Sequence, residues 1–315
     1  MKRAVMCIAL SVMLFVLPFA GFGKGREVRR FAYSQVHMGV RVDLILYAEE
    51  ESRAERAARA AFARFAELDA IMSDYRVDSE LSRLSSMSGK GKIKVSEDLF
   101  RVLEFAQKVS RFSEGGFDVT CGPVVSLWRE ARKAKKLPNR NALQKALSKT
   151  GWKKMALDKQ TSTVELKTIG MKLDLGGIAK GYACDEALFE LKKHGIKIAL
   201  VEAGGDIAVS QPPPGEKGWR IVIRGFHRKP LFLSNCGIST SGDIYQFVEI
   251  NGKRYSHIVD PRTGLGLTNR LQVTVIAKNA MTSDSLATAL CVLGEKEGKK
   301  LAKTFGAKAF FAKPK

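Results

Sequence analysis

Apolar residues recur at helical spacing in four stretches of the chain, and through most of the rest they alternate or cluster in short runs. Residues 53–72 are rich in alanine. Ala58, Phe62, Phe65, Leu68 and Met72 share one side of a predicted helix that Ser73-Asp74 ends. Ser96, followed by Glu97 and Asp98, forms an N-cap with acids in the first turn. The helix it opens turns Leu99, Val102, Leu103, Ala106 and Val109 inward and stops near Gly115-Gly116. A third helix is predicted from Gly176-Gly177 to His194, with Gly195 as its C′ stop. A fourth starts near Thr282 or Ser283, carries Leu286, Leu290 and Leu293 as its core stripe, and ends before Gly294. Residues 31–48 read as an opening strand or hairpin, and 164–166, 171–175, 198–201, 207–209, 219–223 and 271–277 read as strands. Asn251-Gly252 between alternating runs marks a hairpin turn, and two short elements close the chain. Strands and helices do not alternate regularly, so the expected class is α+β, one mixed-sheet domain over residues 24–315.

The first residues add a compartment to this picture. Lys2 and Arg3 precede an almost wholly apolar run, residues 4–17, and Pro18, Ala20, Gly21 and Gly23 follow. Residues 1–23 therefore read as a signal peptide or an N-terminal anchor, and the protein is expected to be exported: periplasmic, or attached to the outer face of the inner membrane.

Over 315 residues, 45% apolar and 27% charged positions are enough for a sizeable core and exclude wholesale disorder. Lys plus Arg number 53 against 32 Asp plus Glu, a net charge of +21, so an anionic partner is expected: phosphate, nucleic acid or lipid headgroups. Residues 129–154 hold ten basic residues and one acid, and read as a basic helical insert with a solvated face. Cys121, Cys184, Cys236 and Cys291 are more than fifty residues apart, which leaves no C-x-x-C metal pair and suits small buried thiols.

Five polar turns carry candidate chemistry. In Asp284-Ser285-Leu286-Ala287-Thr288 the acid and the hydroxyl stand one helical turn apart, and two hard oxygens suit Mg²⁺; a bare dipole-complementing acid would look the same. In Asp174-Leu175-Gly176-Gly177 a strand runs through two glycines into a helix with Lys180 one turn in, which suits an anion or simply tight packing. His257 lies close to Asp260 and Arg262 in a strand-to-turn segment where it can transfer a proton. Glu202-Ala203-Gly204-Gly205-Asp206 and Gly116-Phe117-Asp118-Val119-Thr120 are the other two. Together they suggest a site built from loops around a diphosphate and a metal.

The stretches MSDYRVDSELSRL, GGFDVTCGPVVSLW, LDLGGIAKGYACD, VEAGGDIAVS, ISTSGD, YSHIVDPRTG and DSLATALCVLG, in that order and within residues 36–311, resemble the FAD:protein FMN transferase family, the ApbE-like flavin transferases. The resemblance implies a T-fold-related catalytic domain and a Mg²⁺-dependent reaction. FAD is the substrate, FMN passes to a threonine hydroxyl of an acceptor protein through a phosphoester bond, and AMP leaves. The implied acceptor is a membrane or exported redox subunit, and no nucleic acid is expected. Carried onto this sequence, the implied metal ligands are Asp284, Thr288 and the backbone carbonyl of Gly177. Position 287, a second Asp in some members, is alanine here. The implied flavin contacts are Met38, Tyr75, Gly116, Phe117, Asp118, Asp174, Lys180 and Val259. Met38-Gly39-Val40 stands where the family usually has Met-Gly-Thr, and the aromatic Tyr75 resembles transferase members more than a flavin-hydrolysing subgroup. His257 is the candidate proton acceptor and Asp284 the indispensable acid. Two alternatives share these residues or this charge: a Mg²⁺-dependent FAD pyrophosphatase giving FMN and AMP, and a non-catalytic basic anion-binding protein.

Overall fold

The structure is a computed structural model and describes residues 28–223, 229–243 and 246–313. The segment 1–23 expected to target the chain lies outside the described residues. Among the described residues no helix is long and apolar enough to cross a membrane.

A hairpin opens the chain, β1 (Arg29–His37) and β2 (Val40–Ala48), followed by α1 (Glu51–Met72) and α2 (Glu80–Ser86). After β3 (Lys92–Lys94) come α3 (Glu97–Phe112), α4 (Gly122–Ala134) and α5 (Arg140–Ser148), then β4 (Met155–Asp158) and β5 (Thr163–Leu166). Helix α6 (Ala179–Lys193) leads into β6 (Ile198–Ala203) and β7 (Asp206–Val209). The remainder is β8 (Trp219–Ile221), β9 (Leu231–Leu233), β10 (Cys236–Ser241), β11 (Phe247–Ile250), β12 (Lys253–Ser256), β13 (Gln272–Ala277), α7 (Ala280–Thr304) and β14 (Lys308–Ala312).

The α+β class is as the sequence predicts. The central sheet has seven strands in the order β1-β2-β6-β7-β10-β13-β14, and every neighbouring pair is antiparallel. What is mixed is several sheets with helices, not strand directions, because hairpins rather than crossovers join β1 to β2 and β6 to β7. Helices α1, α6 and α7 lie on one face, α1 over β1 and β2, with α3 behind them, and the main core fills the space between: Leu44 and Val201 from the sheet, Phe65, Leu99, Ala187 and Leu290 from the helices. The hairpin β8–β9 covers part of the other face, where Trp219 and Ile221 join Val209 and Ile238.

Local signals are mostly realised. Ser96 Oγ accepts from Leu99 N at 3.3 Å as the α3 cap. Gly195 takes φ +81 behind α6, and Asn251 and Gly252 take φ 51 and 72 at the β11–β12 turn. Helix α7 breaks at Gly294 (φ 75), where the sequence ends it, and helix resumes beyond. Residues 171–175 are a departure: no strand forms there, only a bridge between Lys172 and Cys121. Residues 129–154 start inside α4 and are not wholly solvated. Trp128, Ala131 and Ala146 pack with Val248, Ile250 and Val259 in a second core, so the run has a charged outer face and an apolar underside.

Candidate active site

Strand pairing brings the polar β6–β7 turn to one end of the sheet beside three other strand ends. The β1–β2 turn at Met38-Gly39, the β6–β7 turn at Gly204-Gly205, the end of β10 and the start of β13 are neighbours through the registers Val42–Ala203, Ser239–Asp206 and Ser241–Val273. Helix α7 runs along β10 towards that end. Ser239 Oγ is 2.8 Å from Ser283 Oγ, and Ser241 Oγ is 3.3 Å from Thr288 Oγ1. Its start is tied to α6, because Asp185 accepts from the N–H groups of Ala280 and Met281, both at 2.8 Å.

The close approach of α6 to α7 needs glycine. A Cβ on Gly181 would stand 2.3 Å from the Ala280 carbonyl oxygen and 2.7 Å from Asp284 Cβ. The backbone N–H of Gly181 instead donates to Asp284 Oδ2 at 3.0 Å. A Cβ on Gly177 would meet Thr288 Oγ1 at 2.8 Å. The three positions expected to ligate a metal, Gly177, Asp284 and Thr288, are thus brought together by two glycines and one helical turn.

Asp284 is 2% exposed. Burial, and then the neighbouring Asp206 carboxylate, push its acid up to about 7. The Lys180 ammonium sits between the two acids, 2.7 Å from Asp206 and 3.9 Å from Asp284. Burial opposes its charge, but the two carboxylates outweigh that and hold it above its ordinary value. In the sequence Asp206 is only part of a polar turn; its β-sheet register, not its local pattern, brings it to Lys180.

His257 extends the site. Its Nδ1 lies 3.0 Å from the Gln246 carbonyl oxygen. A carbonyl only accepts, so Nδ1 carries the hydrogen and donates, which leaves Nε2 of the neutral ring free to accept a proton. Burial lowers its pKa from 6.5; the bond to Gln246 opposes this, and the charges of Arg132 and Lys180 add to the lowering. The ring is therefore neutral at pH 7.

Tyr75 and Asp174 lie on a second wall. Tyr75 is 76% exposed. The Arg129 guanidinium lies 4.3 Å from its ring centroid. Asp174 accepts from Arg129 at 2.9 Å and from Gly176 N at 2.9 Å, and burial with the nearby Asp74 raises its pKa against the pull of Arg129. Arg129 had no role in the sequence beyond its charge. The loop at 115–118 precedes α4, the helix that carries Arg129. A Cβ on Gly116 would press on Leu293, and Gly115 faces Trp152 and Arg262.

Some side chains expected to touch flavin are committed elsewhere. Asp118 takes Thr120 N and Oγ1 on one oxygen, at 2.8 and 2.7 Å, and Trp152 N on the other at 2.8 Å. Phe117 is 4% exposed and Val259 is 6% exposed, each packed in a core. Met38, with φ 50, stands at the tip of the first hairpin.

The donor set suits Mg²⁺. It offers a buried carboxylate, a hydroxyl and a backbone carbonyl, all hard oxygens of the kind that ion prefers. Among the described residues no group of three or more His, Cys, Asp or Glu forms a closed metal cage.

The ApbE family profile matches residues 38–311. A FAD:protein FMN transferase of Haemophilus influenzae is 35% identical over 246 residues, 73% of this chain and 70% of its own length. One of Treponema pallidum is 30% identical over 337 aligned positions, covering 100% of this chain and 93% of its own. The crystal structure of the Pseudomonas stutzeri flavinyl transferase ApbE superimposes with a TM-score of 0.81 at 29% identity, covering 91% of this chain and 92% of that one. With matches of this extent, the chain is a member of the ApbE family, an enzyme family of FAD:protein FMN transferases.

Proposed function

We propose that this chain transfers the FMN moiety of FAD to a threonine hydroxyl of an acceptor protein and releases AMP. The observation that carries this reading is the convergence of Asp284, Thr288 and Gly177 beside Lys180 in a member of this family. Asp284, Thr288 and the Gly177 carbonyl would hold Mg²⁺, which supplies charge neutralisation at the pyrophosphate.

The residues of the chain do the rest. Lys180 sets a cation beside the anionic phosphates, and the start of α6 adds its positive dipole end. Tyr75 offers a ring face to the isoalloxazine. The acceptor oxygen attacks the FMN-side phosphorus, the bond to the AMP phosphate breaks, and the acceptor proton goes to Nε2 of His257. Asp206 keeps Lys180 in place. The N-terminal pattern supports an exported enzyme, periplasmic or attached to the outer face of the inner membrane, and the family resemblance supports an exported or membrane redox subunit as its acceptor.

Incubation with FAD, Mg²⁺ and a threonine-containing acceptor peptide tests the reading. The peptide is expected to gain the mass of one FMN, and its Thr→Val version to gain none. Free FMN and AMP with an unmodified peptide would instead identify a pyrophosphatase.

A further inference from the structure

We propose that Arg129 is a positioning residue of this site, fixing the ring of Tyr75 and, through Asp174, the turn at Gly176-Gly177. The inference rests on the reading that flavin meets Tyr75. The Arg129 guanidinium reaches three groups at once. One arm pairs with Asp74 Oδ2 and the other with Asp174 Oδ2. Its flat face lies 4.3 Å from the Tyr75 ring centroid.

Arg129 itself is firmly held. The preceding residue, Trp128, donates from Nε1 to the Gly264 carbonyl at 2.8 Å and sits in the second core. The side chains of Arg129, Asp74 and Asp174 are only 20%, 10% and 11% exposed, whereas Tyr75 lies at the surface. A buried ion triad on a fixed helix therefore orients an exposed ring in the α1–α2 connection. Asp174 passes the same constraint onward, since its other oxygen accepts from Gly176 N, one residue before the expected metal carbonyl. Lysine keeps the charge, but it lacks the fork that bridges two carboxylates and the plane that stacks on a ring.

The test is a double-variant cycle on the full protein with Mg²⁺ present, reading FAD affinity by quenching of flavin fluorescence and steady-state transfer in parallel. Arg129→Lys and Tyr75→Ala are each expected to weaken FAD roughly tenfold, the scale of one aromatic stacking contact. The double variant should lose little more than Arg129→Lys alone. KM for FAD should rise in both, while kcat at saturating FAD changes less than about twofold in Tyr75→Ala and falls further in Arg129→Lys, which alone frees the turn at Gly176-Gly177. Asp74→Asn leaves Asp174 paired, so it serves if the lysine variant does not fold, and is expected to weaken FAD severalfold. Wild-type affinity in Arg129→Lys, or in Asp74→Asn where that variant stands in, overturns the proposal, as do losses that multiply in the double variant. Wild-type FAD affinity in Tyr75→Ala removes the flavin reading of Tyr75 itself, a separate failure that takes the proposal with it.

Discussion

At Asp284, burial holds the acid up to about 7 against an ordinary value of 3.8. The folded protein therefore binds this proton more tightly than the unfolded chain does. Its contribution to stability is present at low pH and is lost as pH rises through about 7. Metal-free protein should show that loss in thermal unfolding between about pH 4 and pH 7 and level off above, and Asp284→Asn should not. A cation competing for the same oxygens should stabilise the wild type more at pH 8 than at pH 6. Asp284→Ala should lower FMN transfer by on the order of 10³-fold or more, since charge stabilisation by a metal is worth several kcal/mol. The fall is read in the peptide assay. At His257 the sign differs. Its pKa lies below 6.5, so the acid limb of the transfer rate should have its midpoint below that value. His257→Ala should abolish this limb and slow transfer by roughly 10²–10⁴-fold, the usual scale of general-base catalysis; an unchanged pH–rate profile would count against His257 as the base.

Helices α6 and α7 show at the next scale what seats these side chains. Gly181 permits the crossing that presents Asp284, and a Cβ on Gly237 of β10 would stand 2.2 Å from Ala280 N. Gly181→Ala should destabilise the protein by about 1–3 kcal/mol in denaturant unfolding, the usual cost of overpacking. It should also reduce the stabilisation by Mg²⁺, because the added methyl displaces Asp284. Much at this scale was legible in the sequence. The α3 cap, the Gly195 stop and the break at Gly294 are local chemistry, and they stand where the pattern puts them. Residues 171–175 show where local pattern fails. Leu173 is wholly buried and Met171 nearly so, which mimics a strand. Yet Asp174 N bonds to Val119 O and the Asp174 side chain turns back to Gly176 N, so tertiary partners take the hydrogen bonds a ladder would use. The basic run was equally ambiguous. Most of its charges are exposed, but Arg129, like the Trp128 before it, is held by residues far away in sequence, 74 and 174 for the one and 264 for the other.

Over the whole molecule, an antiparallel sheet places its turns alternately at its two ends; the turn carrying Asp206 falls at the end towards which α7 runs with Asp284 and Thr288. The motifs made the site's members legible, but not their pairing. That Lys180 bridges Asp206 and Asp284 depends on register between β7 and β10 and on the crossing of two helices, which no local window contains. The central claim is that these converging oxygens hold a divalent cation against the pyrophosphate of FAD. Crystals grown with FAD and Mn²⁺, used for its anomalous scattering, test it most directly. The account predicts an anomalous peak bound by the Asp284 carboxylate, the Thr288 hydroxyl and the Gly177 carbonyl, with pyrophosphate oxygens completing the shell. Bound FAD with its pyrophosphate elsewhere, or a manganese peak away from Asp284 and Thr288, would contradict it.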